Sequence, residues 1–279
     1  MANFTTADIK ALREQTGAGM MDVKKALDEA DGNVEKALEI IRVKGLKGIA
    51  KREGRAATAG LILVSIIDEE AGQAGVMIEL NSETDFVAKN EKFIEFANKV
   101  MQAGLDVKAT TLEELLAAPV SEGTVQDLVD SIAAVIGEKI VVRRIVRLTG
   151  ERVTSYLHYT SKDLPPQVGV LVASDANAES VAHDVAMHIA AYSPEYLRRE
   201  DVPAEIVEKE RATLEETTRA EGKPEAAIAK IVEGRMAGFY KESVLLDQPY
   251  AKDPKVSVGQ VVSEANGSLE SFARFRVGA

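Results

Sequence analysis

The chain contains 279 residues, enough for one large domain or about two domains of ordinary size. Apolar residues make up 46% and charged residues 28%. These values are typical of a folded globular protein and exclude a mostly disordered or collagen-like chain. The net charge of −11 argues against nucleic acid as a direct partner, because an acidic surface repels phosphate groups. The absence of cysteine excludes disulfides, thiolate nucleophiles and cysteine-ligated metals.

The sequence carries no signal for export or for membrane insertion. Its first residues lack a basic segment followed by an apolar one. No apolar run approaches the roughly 18 residues that a membrane span needs. We therefore expect a cytoplasmic protein that contacts no membrane.

Residues 1–43 have the pattern of three short helices. Thr5 and Asp8 are spaced as a capping box at the start of the first helix. Glycines in the segment 16–19 interrupt that helix, and the segment 31–33 separates the second helix from the third. The pattern predicts a three-helix miniature domain, stabilised mainly by packing between its helices.

The segment 44–60 differs in composition from the helices before it. It carries five basic side chains and a single acidic one, Glu53, among small residues. This composition predicts a solvated connector, with a contact to a partner or to RNA as the alternative.

The middle of the chain repeats one order of strands and helix. Strand-like runs precede a helix in both places; the runs lie at 61–67 and 75–80 and again at 140–149, 152–160 and 167–173. The helix after the first set has an apolar stripe, formed by Phe93, Phe96, Ala97, Val100 and Met101. Short amphipathic helices are expected at 112–116 and 125–136. The pattern predicts an α+β fold with a duplicated core.

Residues 195–245 are highly charged and predict two antiparallel helices joined at 221–224, where glycine precedes proline. The apolar residues expected between the two helices are Ile206, Leu214, Ile228, Ile231 and Met236. After this helical arm, the alternation over 271–277 predicts a last strand.

The sequence offers no recognisable active site. It contains no phosphate-binding loop, no dinucleotide fingerprint and no zinc-protease motif. His183 and His188 are five residues apart on one predicted helix, about 140° around its axis, so they would not chelate one metal ion. We therefore expect no catalytic residue, no metal and no cofactor.

Phe86 is a candidate binding residue, because it follows Asp85 at the exit of a predicted hairpin. In one interpretation Phe86 packs under the next helix, which Thr84 or Asp85 caps. In the other, the ring and the carboxylate protrude together as a binding hot spot.

Two stretches match the signatures of a known family. LREQTGAGMMDVKKAL at residues 12–27 resembles the N-terminal signature of bacterial elongation factor Ts, and NSETDFVA at residues 81–88 resembles its Thr-Asp-Phe-Val motif. Shorter matches are IGE at 136–138, HDVAMHIAA at 183–191, VEGRM at 232–236 and QPY at 248–250. The resemblance extends over essentially the whole chain.

The resemblance implies a guanine-nucleotide exchange factor for elongation factor Tu that is not itself an enzyme. It implies a ubiquitin-associated-like domain and basic linker, two halves of an α+β core, a coiled-coil arm and a C-terminal module. In this sequence these parts are residues 1–54, 55–139, 140–194, 195–245 and 246–279. The resemblance leaves open whether two copies of the chain assemble with two Tu molecules.

The residues implied to act on Tu follow from the same resemblance. The family's Thr-Asp-Phe-Val motif enters Tu near its nucleotide and displaces magnesium; here it comprises Thr84, Asp85, Phe86 and Val87. Further implied contacts are Met20, Met21, Lys24, Arg52, Ile136, Gly137, His158, His183, Ala251 and Lys252. Ala251 and Lys252 stand where a member of the family has Val-Met, so the side chains of this turn depart from that pattern.

Alternatives exist for several of these assignments. Met20 and Met21 could fill the three-helix core instead, and His158 could lie at an exposed strand edge. An adaptor that binds ubiquitin or a peptide is the first rival function, because the N-terminal unit is helical. A hydrolase with dispersed carboxylates is the second.

Overall fold

The computed structural model describes residues 4–16, 18, 20–121 and 123–279. The N-terminal unit contains α1 (Thr6–Thr16), α2 (Met20–Glu29) and α3 (Val34–Arg52). Its core consists mainly of small and branched apolar side chains, among them Leu12, Val23, Ala26, Leu27, Ala37 and Ile41. The predicted capping box is present, because the Thr5 amide donates to the Asp8 carboxylate and the Asp8 amide donates to the Thr5 hydroxyl.

The third helix extends much further than its apolar pattern indicates. The backbone remains helical to Arg52, so the first half of the predicted connector at 44–60 is helix. The second half, from Glu53 to Thr58, is turn and irregular chain. Glycines at 45 and 48 lower helix propensity, but the packing of α3 along the core overrides it.

The first half of the core is a three-stranded antiparallel sheet with four helices. In chain order its elements are β1 (Ala59–Glu69), β2 (Gly72–Ser82), α4 (Asp85–Ala88), α5 (Glu91–Asp106), α6 (Leu112–Ala117), β3 (Pro119–Val120), β4 (Gly123–Thr124), α7 (Val125–Ile136) and β5 (Val141–Gly150). The strand order is β1-β2-β5, and β3 pairs with β4 in a separate small hairpin. The run at 140–149 was expected in the second half of the core; as β5 it pairs with β2 and belongs to the first sheet instead. The predicted apolar stripe of α5 is buried against this sheet.

The second half of the core repeats this arrangement. Its elements are β6 (Arg152–His158), β7 (Val168–Ser174), α8 (Glu179–Tyr192), β8 (Pro249–Tyr250), β9 (Asp253–Ser257), α11 (Val258–Glu264) and β10 (Leu269–Arg276). Between α8 and β8 the chain forms α9 (Ala204–Ala220) and α10 (Glu225–Ser243), the two helices of the arm. The sheet order is β10-β7-β6, again antiparallel. In both sheets the second strand of a hairpin lies in the middle and is followed by helix, and the third strand arrives from later in the chain.

The two sheets pack face to face. The layer between them contains side chains from both sheets, among them Ile62, Met77, Val153, Leu171 and Phe275. Gly75 permits this approach, since a Cβ there would lie 2.6 Å from the Val153 Cγ1 atom. The outer face of the first sheet is covered by α5, α6 and α7, and that of the second by α8 and α11.

The helical arm consists of α9 and α10, which turn at residues 221–224 as expected. Ile228 and Met236 are buried between the helices. Ile206 is 37% exposed, so its expected place in the arm is wrong, and Val207 packs there instead. One residue of offset rotates a side chain by about 100° around the helix, which explains the exchange.

Candidate functional site

The Thr-Asp-Phe-Val segment forms a short helix on an exposed corner. Thr84 has an extended backbone and caps α4, accepting a hydrogen bond from the Val87 amide at 3.4 Å. Val87 is half-buried against the core around α5, whereas Phe86 is 71% exposed. The Lys89 ammonium lies 4.8 Å from the centre of the Phe86 ring. The interpretation in which Phe86 packs under the next helix is therefore wrong.

Two carboxylates hold this segment to the end of α7. The Glu138 carboxylate accepts hydrogen bonds from the Thr84 amide at 3.0 Å and from the Thr84 hydroxyl at 2.6 Å. In the opposite direction, the Lys139 amide donates to the Glu83 carboxylate at 2.7 Å. We call residues 83–87 and 136–139 the motif corner. Its two chain segments are 54 residues apart in sequence and fix each other's backbone.

Ile136, Gly137 and Arg52 belong to the same region. Ile136 is the last residue of α7 and is half-buried, and Gly137 ends that helix with a left-handed φ of 83°. Such a φ favours glycine, as the sequence predicts. Arg52 donates from its guanidinium to the Ala133 carbonyl at 3.0 Å, so α3 is tied to α7 beside the corner.

Met20, Met21 and Lys24 lie on the exposed face of α2. Met20 is 57% and Met21 63% exposed, so the alternative that they fill the three-helix core is wrong. The same helix borders a groove of about 470 Å³, whose opposite wall is the stretch 134–137 at the end of α7. The three-helix unit therefore adjoins the motif corner.

His158 and His183 come together around Tyr156 in the second half of the core. His158 ends β6, and its Nδ1 atom lies 3.2 Å from the Tyr156 hydroxyl. His183 projects from α8 and meets the Tyr156 ring edge-on, with 5.9 Å between ring centres. Both imidazoles are exposed, as the strand-edge alternative for His158 also predicts.

Ala251 and Lys252 form the turn between β8 and β9 and pack beside α8. The Lys252 ammonium pairs with the Asp184 carboxylate at 2.7 Å, and this hydrogen bond raises the pKa of Lys252. The Ala251 amide donates to His188 Nδ1 at 3.2 Å. We call the group around this turn the histidine corner; it comprises Tyr156, His158, His183, Asp184, His188, Ala251 and Lys252.

The two corners lie at the same end of the packed sheets. The Gln167 amide donates to the His158 carbonyl at 3.0 Å, where β6 ends. The Gln167 side chain donates to the Gly60 carbonyl at 2.9 Å, where β1 begins beside the end of β2. Gln167 therefore links the strand ends from which the two corners extend, through its backbone amide on one side and its side chain on the other.

Comparison with known proteins shows the family to which this chain belongs. The profile of the family described as elongation factor TS matches residues 83–279. The chain belongs to the elongation factor Ts family. Elongation factor Ts of Beutenbergia cavernae is 63% identical, and those of Renibacterium salmoninarum and Micrococcus luteus are each 61% identical. Each alignment covers 100% of both chains.

Membership of the elongation factor Ts family favours a role in translation elongation over the adaptor and hydrolase alternatives. Within the described residues, no helix combines the length and apolarity required to cross a bilayer. Nor do histidine and acidic side chains in that part of the chain gather into a group of three suited to a metal ion.

Sequence reasoning missed the residues that hold the two corners in place. Glu83, Glu138, Gln167 and His188 all act on backbone groups far away in the chain, so no local spacing identifies them. One local feature of the sequence marks Glu138: its carboxylate directly follows a glycine that ends a helix. Another marks His188, since it occupies the apolar side of α8 among Val185 and Ile189.

Proposed function

We propose that this chain is the guanine-nucleotide exchange factor for elongation factor Tu. It binds Tu with GDP, displaces the magnesium ion and promotes release of GDP so that GTP can enter. One observation carries the proposal: Phe86, beside Asp85, is 71% exposed on a corner whose backbone is held by hydrogen bonds. An exposed aromatic ring on a fixed backbone is the usual composition of a binding hot spot.

The mechanism needs no catalytic group on this chain. Magnesium neutralises the phosphates of a nucleotide bound to a GTPase, so its loss weakens nucleotide binding. By linkage, the nucleotide weakens binding of the exchange factor by the same ratio, and GTP can then drive the factor off. Asp85 and Phe86 would enter Tu, while Thr84 and Val87 hold them at the core.

The burial of Phe86 alone supplies too little free energy to drive this exchange. A shift of about 10⁴ in an equilibrium ratio requires roughly 5.5 kcal/mol, whereas burial of one phenylalanine contributes about 1.5–3 kcal/mol. We therefore include further contacts in the proposed surface, namely Met20, Met21, Lys24, Arg52, Ile136, Gly137, His158, His183, Ala251 and Lys252. Most of them are exposed. The motif corner adjoins the three-helix unit across the groove beside residues 134–137, and Gln167 links it to the end of β6 in the histidine corner.

The proposal also covers the setting in which the protein acts. We expect a cytoplasmic factor without a cofactor and without direct binding to nucleic acid. Assembly of two copies with two Tu molecules stays a prediction. Light scattering of the purified complex measures its mass and separates a 1:1 from a 2:2 assembly.

The decisive experiment follows a fluorescent GDP analogue leaving purified Tu in the presence of excess unlabelled GDP. Catalytic amounts of the wild-type chain should accelerate release. Phe86→Ala should lower the apparent affinity for Tu by roughly ten- to a hundredfold, because one phenylalanine is no longer buried. Its melting temperature should stay that of the wild type, since the ring is exposed.

Val107→Ala is a matched control. Val107 is an exposed apolar residue, 41% accessible, at the end of α5. Its neighbour Lys108 pairs with Glu69 at the far end of the first sheet, away from the motif corner. The control should exchange like the wild type. Equal losses in both variants, or no acceleration by the folded wild-type chain, would refute the proposal.

A further inference from the structure

His188 is a buried imidazole that the proposed mechanism does not use. Its side chain is 1% exposed, although its helix lies at the surface of the core. Tyr192 covers one face of the ring at 4.6 Å between centres, and Tyr250 lies 6.2 Å away. The ring therefore sits between α8 and the segment that leads from the helical arm to the histidine corner.

The hydrogen bonds of His188 form a chain with a single direction. The Ala251 amide donates to Nδ1 at 3.2 Å, and Nε2 lies 2.8 Å from the Gln248 side-chain oxygen. The Gln248 side-chain nitrogen donates to the Glu242 carbonyl at 2.8 Å. A backbone amide can only donate and a backbone carbonyl can only accept, so the two ends fix every proton between them. His188 is therefore neutral, with its proton on Nε2.

These hydrogen bonds fix the position of the exposed Ala251–Lys252 turn against α8. Asp184 and His188 are four residues apart, so they share a face of that helix. His188 binds the Ala251 amide, and Asp184 binds the Lys252 side chain at 2.7 Å. Ala251 and Lys252 are thus held at both the backbone and the side chain; the backbone bond is part-buried, whereas the Lys252 side chain is 58% exposed.

We propose that His188 is a positioning residue, whose neutral Nε2–H form holds the Ala251–Lys252 turn in the geometry that binds Tu. This inference rests on the proposed function. What the partner meets is a fixed turn, and His188 fixes it through a backbone amide that any side chain at 251 provides, proline excepted.

Two substitutions separate the two bonds of the ring. His188→Asn places an amide oxygen near the Nδ1 position and keeps an acceptor for the Ala251 amide. His188→Gln reaches the Nε2 position instead, so it keeps a bond to Gln248 and loses the acceptor. Both variants remove ring volume from the same site, which makes each the control for the other in stability.

The readouts are hydrogen exchange of the Ala251 amide and titration of GDP release from Tu. His188→Gln should speed exchange of that amide roughly two- to tenfold, the effect of one lost neutral hydrogen bond. The concentration for half-maximal GDP release should rise by a similar factor. The rate at saturation should stay unchanged, because the motif corner is intact. His188→Asn should restore both values towards those of the wild type.

Other outcomes would overturn the inference. Equal behaviour of the two variants would mean that the ring only fills space. In the wild type, imidazole ¹⁵N shifts that place the proton on Nδ1 would contradict the hydrogen-bond chain, even if neither variant folds. A wild-type chain that fails to accelerate GDP release would refute the proposed function separately, since exchange of the Ala251 amide is measured without Tu.

Discussion

The motif corner and the histidine corner are both held in place by side chains that bond to the backbone, but these side chains differ in charge and burial. Each lies beside the helix that follows the middle strand of a sheet, and each presents exposed side chains on a fixed backbone. The motif corner is held by carboxylates near the surface, with Glu138 on Thr84 and Glu83 on Lys139. The histidine corner is held by a buried neutral imidazole. The motif corner should be disturbed when a carboxylate is removed, and the histidine corner when the imidazole gains a proton.

The largest effect is expected when the motif corner loses its main anchor. Glu138→Ala removes the acceptor of two hydrogen bonds from Thr84, and bonds to a charged group contribute about 1.5–3 kcal/mol each. GDP release from Tu should slow by roughly tenfold or more. Glu95→Ala, an exposed glutamate on α5, should leave the rate unchanged. Wild-type exchange by Glu138→Ala would show that this anchor is dispensable.

A smaller effect is expected from loss of the N-terminal cap of α4. Thr84→Ala removes the cap of α4 and one bond to Glu138, and loss of an N-cap costs about 0.5–2 kcal/mol. Chemical denaturation should report this loss, and Thr84→Ser should recover most of it because the hydroxyl is kept. A serine variant as unstable as the alanine variant would assign the effect to the methyl group instead.

The histidine corner should lose stability in acid. Burial lowers the pKa of His188 below its ordinary value of 6.5, so on acidification the unfolded chain binds this proton before the folded chain does. The free energy of unfolding should therefore fall as the pH drops below that value, by at most about 1.4 kcal/mol per pH unit.

The measurement is a series of denaturation curves between neutral pH and about pH 5, with His188→Asn as the reference. Both proteins share every other titrating group, so the difference between them isolates His188. The stability advantage of the wild type should shrink as the pH falls. An advantage that grows in acid would mean that the imidazole is protonated in the folded protein.

The smallest effect is expected from the ion pair on the turn. Lys252 is 58% exposed, and water screens exposed pairs strongly. Lys252→Ala should change the melting temperature little and weaken binding to Tu by less than about threefold at physiological salt. A double-mutant cycle with Asp184→Asn measures the coupling. A large coupling would move the main support of the turn from His188 to this pair.

Local patterns predicted most of the fold. The capping box of Thr5 and Asp8, the apolar stripe of α5 and the hairpin of the first sheet all depend on neighbours in sequence, and the structure confirms them. The predicted length of α3, the packing of Ile206 and the placement of the strand at 140–149 were wrong, because each is decided by tertiary contacts.

The candidate site was predictable only in part. Most of the residues that the resemblance implies are exposed, and the exposure of Phe86 and Met21 agrees with a role in binding. The anchors Glu138 and His188 act across 54 and 63 residues, on backbone atoms that have no side-chain signature. Spacing cannot reveal such pairs, since any residue can supply the backbone partner.

The continuous helix α3 has a consequence for affinity. A flexible connector would let α2 and Phe86 reach a partner independently, and the second contact would then cost chain entropy. Here the backbone is helical up to Arg52, which is tied to the Ala133 carbonyl. Once one surface has docked, the other is already held at a high effective concentration. Two contacts of modest affinity can therefore bind the partner strongly together. Breaking the helix between them should weaken both contacts.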